Sequence, residues 1–526
     1  MRWRTAARRG PRRGGGRLVT YGLIAAVFLV LLLLRTPLFI ALGAASAMCF
    51  SLIKPEPFSG LMAQQMYFIT EKGELLAIPF FVLAASLMTH GKSAKRVTEF
   101  VGAAVRWLPG GLALATIVSC VLFAAMCGLT PTAVVAVGAL MLPGLVGAGY
   151  PERFSLGLVT SSGSLGILVP PSLVALVFVV VATSSVQGYN QAAQEVAVMR
   201  MQEKAARAAE NAAARDAEQQ DPAAEFMPAW AADVHEDLET PEAAQTSKEQ
   251  QPAAPQPPRP EPKTDVNLKN AFVAGVMPVL LIAALFSAYA VITGLRSGAR
   301  RERFSLPELA RSARRGVLAL ALPALVIAVI LTGRMTVIQA AALAAVYAFI
   351  LEVFLYRAVR LRDLPAVVRE AGVMTGMILI ILAVTMAFNY YLANELIIID
   401  LTDWIQSHFH SRLGFLIAVN ILLLFLGCLM DILSAVFVTV PLLLPAALQL
   451  GIDPIHFGVI FLINFEIGYL TPPIGVNLFT AGAVFKKDLV EVSRSVLPYL
   501  GLLLAALALV TYFPSISLWL VRALGG

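Results

Sequence analysis

Two acids stand inside long apolar stretches of the chain, and chemistry would turn on them first. Asp431 ends the interruption Gly427-Cys428-Leu429-Met430-Asp431, and Glu466 lies five residues before Thr471-Pro472-Pro473. A carboxylate at the bilayer centre costs roughly 2.5 to 3.5 kcal/mol on insertion scales, so an acid kept there is a functional candidate. Asp431 has two open readings, binding a cation and capping the helix that follows it. Glu466 likewise reads either as a coupling site or as a buried partner between helices. Oxygen-bearing clusters accompany both: Ser161-Ser162-Gly163-Ser164 ahead of Pro170-Pro171-Ser172, and Asn464 with Thr471-Pro472-Pro473-Ile474-Gly475-Val476-Asn477. Proline removes a backbone donor and frees upstream carbonyls, for which hydrocarbon offers no partner. A hard cation coordinated by carbonyl and hydroxyl oxygens would satisfy them.

Other chemical signatures fail. Gly91-Lys92-Ser93 ends like a phosphate-binding loop, but Ser86 stands where such a loop needs glycine. His408-Phe409-His410 reads as a solvated turn without a third metal ligand. Cys49, Cys120, Cys127 and Cys428 all fall in apolar runs with no CxxC spacing, and read as structural thiols. Neither HExxH nor GxSxG occurs, so the chain is not expected to be an enzyme. Transport would have to run on an ion gradient: a tenfold gradient is worth about 1.4 kcal/mol and 100 mV about 2.3 kcal/mol per charge.

The elements that must hold these residues are membrane helices. Of 526 residues 58% are hydrophobic and only 14% charged, against about 25% charged in an ordinary soluble domain. A span takes roughly 20 apolar residues, so the chain has room for about a dozen. The net charge of +7 is concentrated in short basic runs beside apolar segments, the pattern of lipid headgroups and topology rather than of nucleic acid. Met1 to Arg17 is basic and leads into an apolar run with no small-residue cleavage site, so the first span is expected to stay.

A repeat organises the chain. An offset of 302 residues lays Leu142-Pro143 on Leu444-Pro445, Gly149 on Gly451, Gly166 on Gly468 and Pro170-Pro171 on Pro472-Pro473. Each copy has a long apolar segment interrupted near its middle, a Gly-containing turn, and a second long segment broken by Pro-Pro. The first segment of each copy exceeds one crossing, which predicts a helical hairpin that enters and leaves on one side. The expected organisation is a basic tail (1–17), scaffold helices (18–91), a first transport repeat (92–186, hairpin 112–146, broken helix 155–186) and an acidic insert (187–268). Scaffold and connecting helices (269–395), a second transport repeat (396–485, hairpin 413–449, broken helix 457–485) and a C-terminal helix (486–526) follow.

With four spans between the copies, the repeats are inverted, as in secondary transporters whose sites lie between broken helices. On this map the basic loops at 92–106, 296–315, 357–369 and Lys486-Lys487 face inside. The insert carries seven Lys or Arg against fifteen Asp or Glu and faces outside. Its residues 190–220 read as helical, and its Pro-rich end as disordered. The tail conflicts with this map, which places it outside although it carries seven arginines.

Several stretches resemble one family: Leu76-Ala77-Ile78-Pro79-Phe80-Phe81, the Gly138 to Pro143 run, Gly163-Ser164-Leu165-Gly166 with Pro170-Pro171-Ser172, Gly451-Ile452-Asp453-Pro454-Ile455-His456-Phe457-Gly458, and Gly468-Tyr469-Leu470-Thr471-Pro472-Pro473-Ile474-Gly475-Val476-Asn477-Leu478-Phe479. They are similar to the large membrane subunit of TRAP (tripartite ATP-independent periplasmic) transporters. The resemblance implies an all-α, elevator-type importer of organic acids in the bacterial inner membrane, coupled to Na+. Its partners would be a periplasmic substrate-binding protein and a small four-helix membrane subunit. It places ion sites at Cys127, Gly128, Thr130, Ser162, Ser164, Gly427, Asp431, Thr471 and Gly475, and leaves Thr132, Ser161, Ser172, Glu466 and Asn477 for substrate.

The chain departs from the family pattern at Cys127-Gly128-Leu129, where many members have a Ser-Gly-Ser type tip, and at Thr336-Val337-Ile338-Gln339, where Thr-Pro-Thr-Glu is usual. The insert is also unusual, and reads either as a contact for the binding protein or a neighbour, or as a flexible spacer. A stand-alone anion transporter driven by Na+ or H+ is the nearest rival. An ion-channel subunit is further off, because an inverted repeat within one chain points to alternating access.

Overall fold

The computed structural model describes residues 26–219 and 266–524, apart from 28–29, 32–35, 37, 54–57, 68–72, 128–129, 301–302, 396, 410 and 474. The basic tail, most of the expected first span, Gly128 and most of the acidic insert lie outside the described residues. All regular elements among those described are helical. In chain order they are α1 (Leu38–Ile53), α2 (Phe58–Tyr67), α3 (Ala77–His90), α4 (Ser93–Val105), α5 (Gly111–Cys127), α6 (Thr130–Ala136), α7 (Gly138–Gly147), α8 (Glu152–Ser164), α9 (Leu173–Gln219) and α10 (Leu268–Arg296). Then come α11 (Leu306–Leu331), α12 (Val337–Phe349), α13 (Leu364–Asn394), α14 (Ile397–His408), α15 (Arg412–Leu429), α16 (Ile432–Gln449), α17 (Pro454–Gly468), α18 (Val476–Phe485), α19 (Leu489–Tyr512) and α20 (Ser515–Ala523). Among the described residues seven helices are long and apolar enough to cross a membrane, or up to nine when each bent pair is one span.

The 302-residue offset holds in the backbone. Gly149 and Gly451 both adopt positive φ, +95° and +71°. Each closes its helix with the same two bonds: Gly149 N–H to Val146 and Tyr150 N–H to Leu145, against Gly451 N–H to Leu448 and Ile452 N–H to Ala447. This Schellman ending needs a left-handed residue, hence glycine. Both Pro-Pro bonds are cis. The correspondence also reaches further than the motifs. Adding 302 carries α1 onto α12 and its π turn (Ile350–Leu355), α3 onto the second half of α13, α4 onto α14, and α5 onto α15. α3 packs on α12, and reciprocally α13 packs on α1, the exchange that a two-fold relation between repeats produces.

Three connections read as loops and turns are wholly or partly helical. The basic stretch 92–106 contains α4, whose Ala94, Val97 and Val101 are buried at helical spacing while Lys95 and Glu99 pair outward at 3.9 Å. A search for continuous apolar runs passes over such a helix because only one face is apolar. Its counterpart α14 carries His408 in its last turn, stacked on Trp404 with centroids 4.4 Å apart. His408 is therefore part of a helix and not of a turn. The basic stretch 296–315 likewise holds the start of α11, capped by Ser305, whose hydroxyl accepts from Glu308 N–H. Thr336 and Gln339 form a reciprocal capping box at α12, with bonds of 3.3 and 2.9 Å. Gln339 thereby does the work expected of a glutamate at this position.

The broken helices are built from short pieces. α17 has 15 residues and α18 has 10, about 22 and 15 Å at 1.5 Å per residue, so neither spans a 30 Å core alone. Small residues let hairpins and breaks touch. A Cβ placed on Gly468 would lie 2.5 Å from the backbone of Gly427, so α15 and α17 meet backbone to backbone, the role of small residues between membrane helices. In the first copy Gly166 meets Ala124 in the same way.

Residues 189–264 separate from the rest of the chain as a unit of their own. Its described part is the distal portion of α9, in agreement with the helix read over 190–220. Every side chain from Ala197 to Ala212 is exposed, and Arg207 pairs with Glu203 one turn away at 2.7 Å.

Candidate functional site

At the first hairpin tip, α5 ends at Cys127 and α6 starts at Thr130. The Thr130 hydroxyl is buried and donates to Asn477 Oδ1 over a long 3.4 Å. Asn477 in turn donates from Nδ2 to Ser164 Oγ at 3.0 Å. Three sequence-predicted residues from α6, α8 and α18 are thus brought together, joining the first tip to the second broken helix. No charged group takes part. The Cys127 thiol, also buried, lies 3.5 Å from Thr89 Oγ1 on α3. A thiol is a soft ligand, so Cys127 would serve a hard cation only through its carbonyl. A small cavity beside it is lined by Phe81, Val82 and Ala85 of α3 with Met126, Cys127 and Pro171.

At the second tip Asp431 is exposed and caps α16. Its Oδ1 accepts from Ser434 N–H at 3.0 Å, and its Oδ2 accepts from the Ser434 hydroxyl. The capping reading of Asp431 is therefore observed. A carboxylate offers about four acceptor positions, so two further lone pairs are left for another partner. Beside it the Tyr469 hydroxyl accepts from Ile432 N–H at 3.1 Å. Thr471, half-buried, donates to Ile467 C=O at 2.8 Å, and the Cys428 thiol donates to Leu424 C=O at 3.1 Å. Gly475 is buried and donates to Thr471 C=O at 3.2 Å. Gly427 sits in the glycine contact with Gly468.

The remaining predicted residues lie apart from these bonds. Ser161 and Ser162 are fully buried, with hydroxyls that find no hydrogen-bond partner. Ser172 caps α9, accepting from Ala175 N–H at 3.1 Å. Thr132 is half-buried on α6. Glu466 is 0% exposed inside the unbroken α17, and neither of its oxygens has a partner. That leaves the expected interhelical partner unseen.

Sequence reasoning named Asn464 but did not single out Tyr469, or Asn420 and Thr511, with which Asn464 forms a row. Asn464 donates to Asn420 at 2.7 Å, and Asn420 to Thr511 at 3.3 Å, tying α17, α15 and α19. The signal for the amides was present, because polar side chains inside apolar segments are expensive unless paired. Tyr469 carried none, since a tyrosine in an apolar run reads as packing. Among the described residues no three His, Cys, Asp or Glu side chains gather as a metal centre. Hydroxyls, an amide and one carboxylate make a hard, oxygen-only set, suited to a group I or II cation rather than a transition metal.

Two helical hairpins, two broken helices facing them and a reciprocally packed helical frame define a polytopic membrane transporter. A transporter of Alcanivorax borkumensis, YdaH, described as having an unusual topology, matches the fold with a TM-score of 0.55 at 12% identity over 95% of this chain and all of that one. Residues 25–246 and 263–516 match the DctM component of the tripartite ATP-independent periplasmic transporters, and the chain belongs to that family. The C4-dicarboxylate TRAP transporter large permease DctM of Rhodobacter capsulatus is 34% identical over 97% of this chain and 99% of its own length. Its namesake in Pseudomonas aeruginosa is 33% identical over 92% and 94%. The ectoine/5-hydroxyectoine large permease UehC of Ruegeria pomeroyi is 29% identical over 94% and 98%. The chain is accordingly a multi-pass membrane permease of this class.

Proposed function

We propose that this permease imports organic acids, C4-dicarboxylates foremost, across the bacterial inner membrane in symport with Na+. A periplasmic binding protein would hand over the substrate, and a small four-helix subunit would brace the scaffold helices. The hairpins and broken helices would move together as an elevator against α1, α3, α12 and α13. The observation that carries this reading is the meeting of Thr130, Ser164 and Asn477, where the first tip faces the second break with uncharged hydroxyl and amide groups. The Asp431 carboxylate gives the second tip a comparable hard-oxygen donor. The two relatives at 33% and 34% identity support the dicarboxylate class.

The charge arithmetic favours more than one cation. A dicarboxylate carries two negative charges, and each costs about 2.3 kcal/mol to move inward against 100 mV. Two Na+ cancel that cost, and two tips supply two places for them. The test is uptake of labelled succinate into proteoliposomes holding this chain, with the small subunit and the binding protein each present or omitted, under Na+, K+ or H+ gradients. Uptake only with all three proteins and Na+ is expected. Uptake by this chain alone would favour a stand-alone carrier, and uptake driven by H+ would overturn the Na+ assignment.

A further inference from the structure

Three hydrogen bonds run without a gap from one hairpin tip to the other, and a fourth branches to the first broken helix. Ile432 N–H, the first donor of α16 and the neighbour of Asp431, bonds Tyr469 Oη at 3.1 Å. The carbonyl of the same Tyr469 accepts from Asn477 N–H at 3.1 Å. Asn477 then donates to Ser164 at 3.0 Å and accepts from Thr130 at 3.4 Å. Tyr469 is 7% exposed and Asn477 is 0% exposed, so water does not compete at these groups. Tyr469 occupies the turn directly after Gly468, where α17 gives way to the Pro-Pro break. It touches the second tip through its side chain and, through its carbonyl, holds Asn477, which bonds the first tip.

We infer that Tyr469 is a positioning residue that couples the two hairpin tips, so that ordering one tip orders the other. Resting on the cation-coupled reading above, it names the group through which the two tips would fill together rather than independently. Coupling between sites is reciprocal. A bond lost at Tyr469 must therefore be felt at Thr130, and one lost at Thr130 must be felt at Ile432.

The chain's own thiols report on the two tips. Cys127 lies three residues before Thr130 and Cys428 four before Ile432, the first buried and the second half-buried. The experiment measures alkylation rates of both cysteines in the purified full-length protein, by mass spectrometry of digests, without Na+ and over a Na+ titration. Tyr469→Phe keeps the ring and removes the acceptor. It is expected to raise the rates of both thiols in the absence of Na+ by about fivefold, the loss of one net hydrogen bond. Thr130→Val should raise the rate of Cys428 as well as that of Cys127, by a smaller factor because its bond is long. A change confined to the thiol nearest each substitution overturns the proposal. If Tyr469→Phe fails to fold, Thr130→Val alone decides. Na+ should protect both thiols of the wild type along one sigmoidal curve, which Tyr469→Phe would split in two. No protection of the wild type by Na+ would sink the cation reading, while the ion-free rates would still report on the coupling.

Discussion

The two repeats share a backbone and differ in charge. Both end the outgoing arm of the hairpin in the same glycine-dependent Schellman turn, and both seat small residues where hairpin and broken helix touch. Position 129 in the first copy is leucine, however, and its counterpart 431 is aspartate. Likewise Ser164 in the first copy corresponds to Glu466 in the second. Each intramembrane acid thus faces a neutral residue across the repeat. The frame that positions the site is duplicated, whereas the charge that a cation would meet belongs to one copy. The neutral copy contributes hydroxyls and the Asn477 contact instead.

The largest expected effect breaks the shared frame. Gly468→Val would drive a side chain into the Gly427 backbone, where even a Cβ has only 2.5 Å. Overpacking of this kind costs about 3 kcal/mol or more, and both partners here are backbone that cannot rotate away. A lost or strongly lowered thermal transition is expected, together with poor recovery of folded protein. Recovery of a wild-type transition would mean that α15 and α17 separate freely.

The next test isolates the charge of the second copy. Asp431→Asn keeps a good helix cap, because asparagine caps about as well as aspartate, but removes the carboxylate. Ligand binding to the folded state stabilises by about 2.7 kcal/mol at a hundredfold excess over Kd. The Na+-specific rise in Tm, measured against KCl and choline chloride at equal ionic strength, should disappear in Asp431→Asn while the Tm in KCl stays near that of the wild type. Asp431→Ala should lower the Tm in both salts, since it also costs the cap about 1 kcal/mol. A Na+ response that survives in Asp431→Asn would place the cation in the neutral copy alone.

Glu466 sharpens the contrast from the other direction. A buried polar group without a hydrogen-bond partner destabilises by about 1–3 kcal/mol, so Glu466→Leu should raise the Tm while abolishing uptake. A lowered Tm would reveal that the carboxyl is held by water or a neighbour, and that its role is structural.

The repeat was legible in the sequence because its marks are local. Glycine at positive φ and proline at a break are fixed by their own backbone chemistry, so Gly149, Gly451 and the two Pro-Pro pairs could be read one residue at a time. Ser164, Asn477 and Thr130 were legible as candidates, since polar groups in apolar segments need partners, but not as one cluster. They lie 313 and 347 residues apart in pairs, and only folding reveals that distance as contact. Tyr469 was hidden for a stronger reason. Its carbonyl, which every residue possesses, holds the Asn477 that bonds one tip, while its hydroxyl serves the other. α4 and α14 were missed because amphipathic helices offer no continuous apolar run.

The smallest effect concerns the ion pair that joins the ends of the two copies. Lys487, after α18, meets Glu152 at the start of α8 at 2.6 Å and Glu491 at 3.1 Å. The hydrogen bonds to Glu152 and Glu491 hold the Lys487 ammonium above its ordinary range. A raised lysine contributes stability that is fully present below its unfolded value, near 10.5, and is lost as pH rises through the higher folded value. Between pH 6 and 9 the Tm difference between wild type and Lys487→Met should therefore stay constant. It should shrink in 1 M salt, where the screening length falls to about 3 Å. Because the partners are solvent-accessible, the difference should be the slightest of the set. A difference that resists salt would mean that Lys487 is shielded when the repeats pack, and that the charged link between the copies contributes as much to the frame as the glycine contacts.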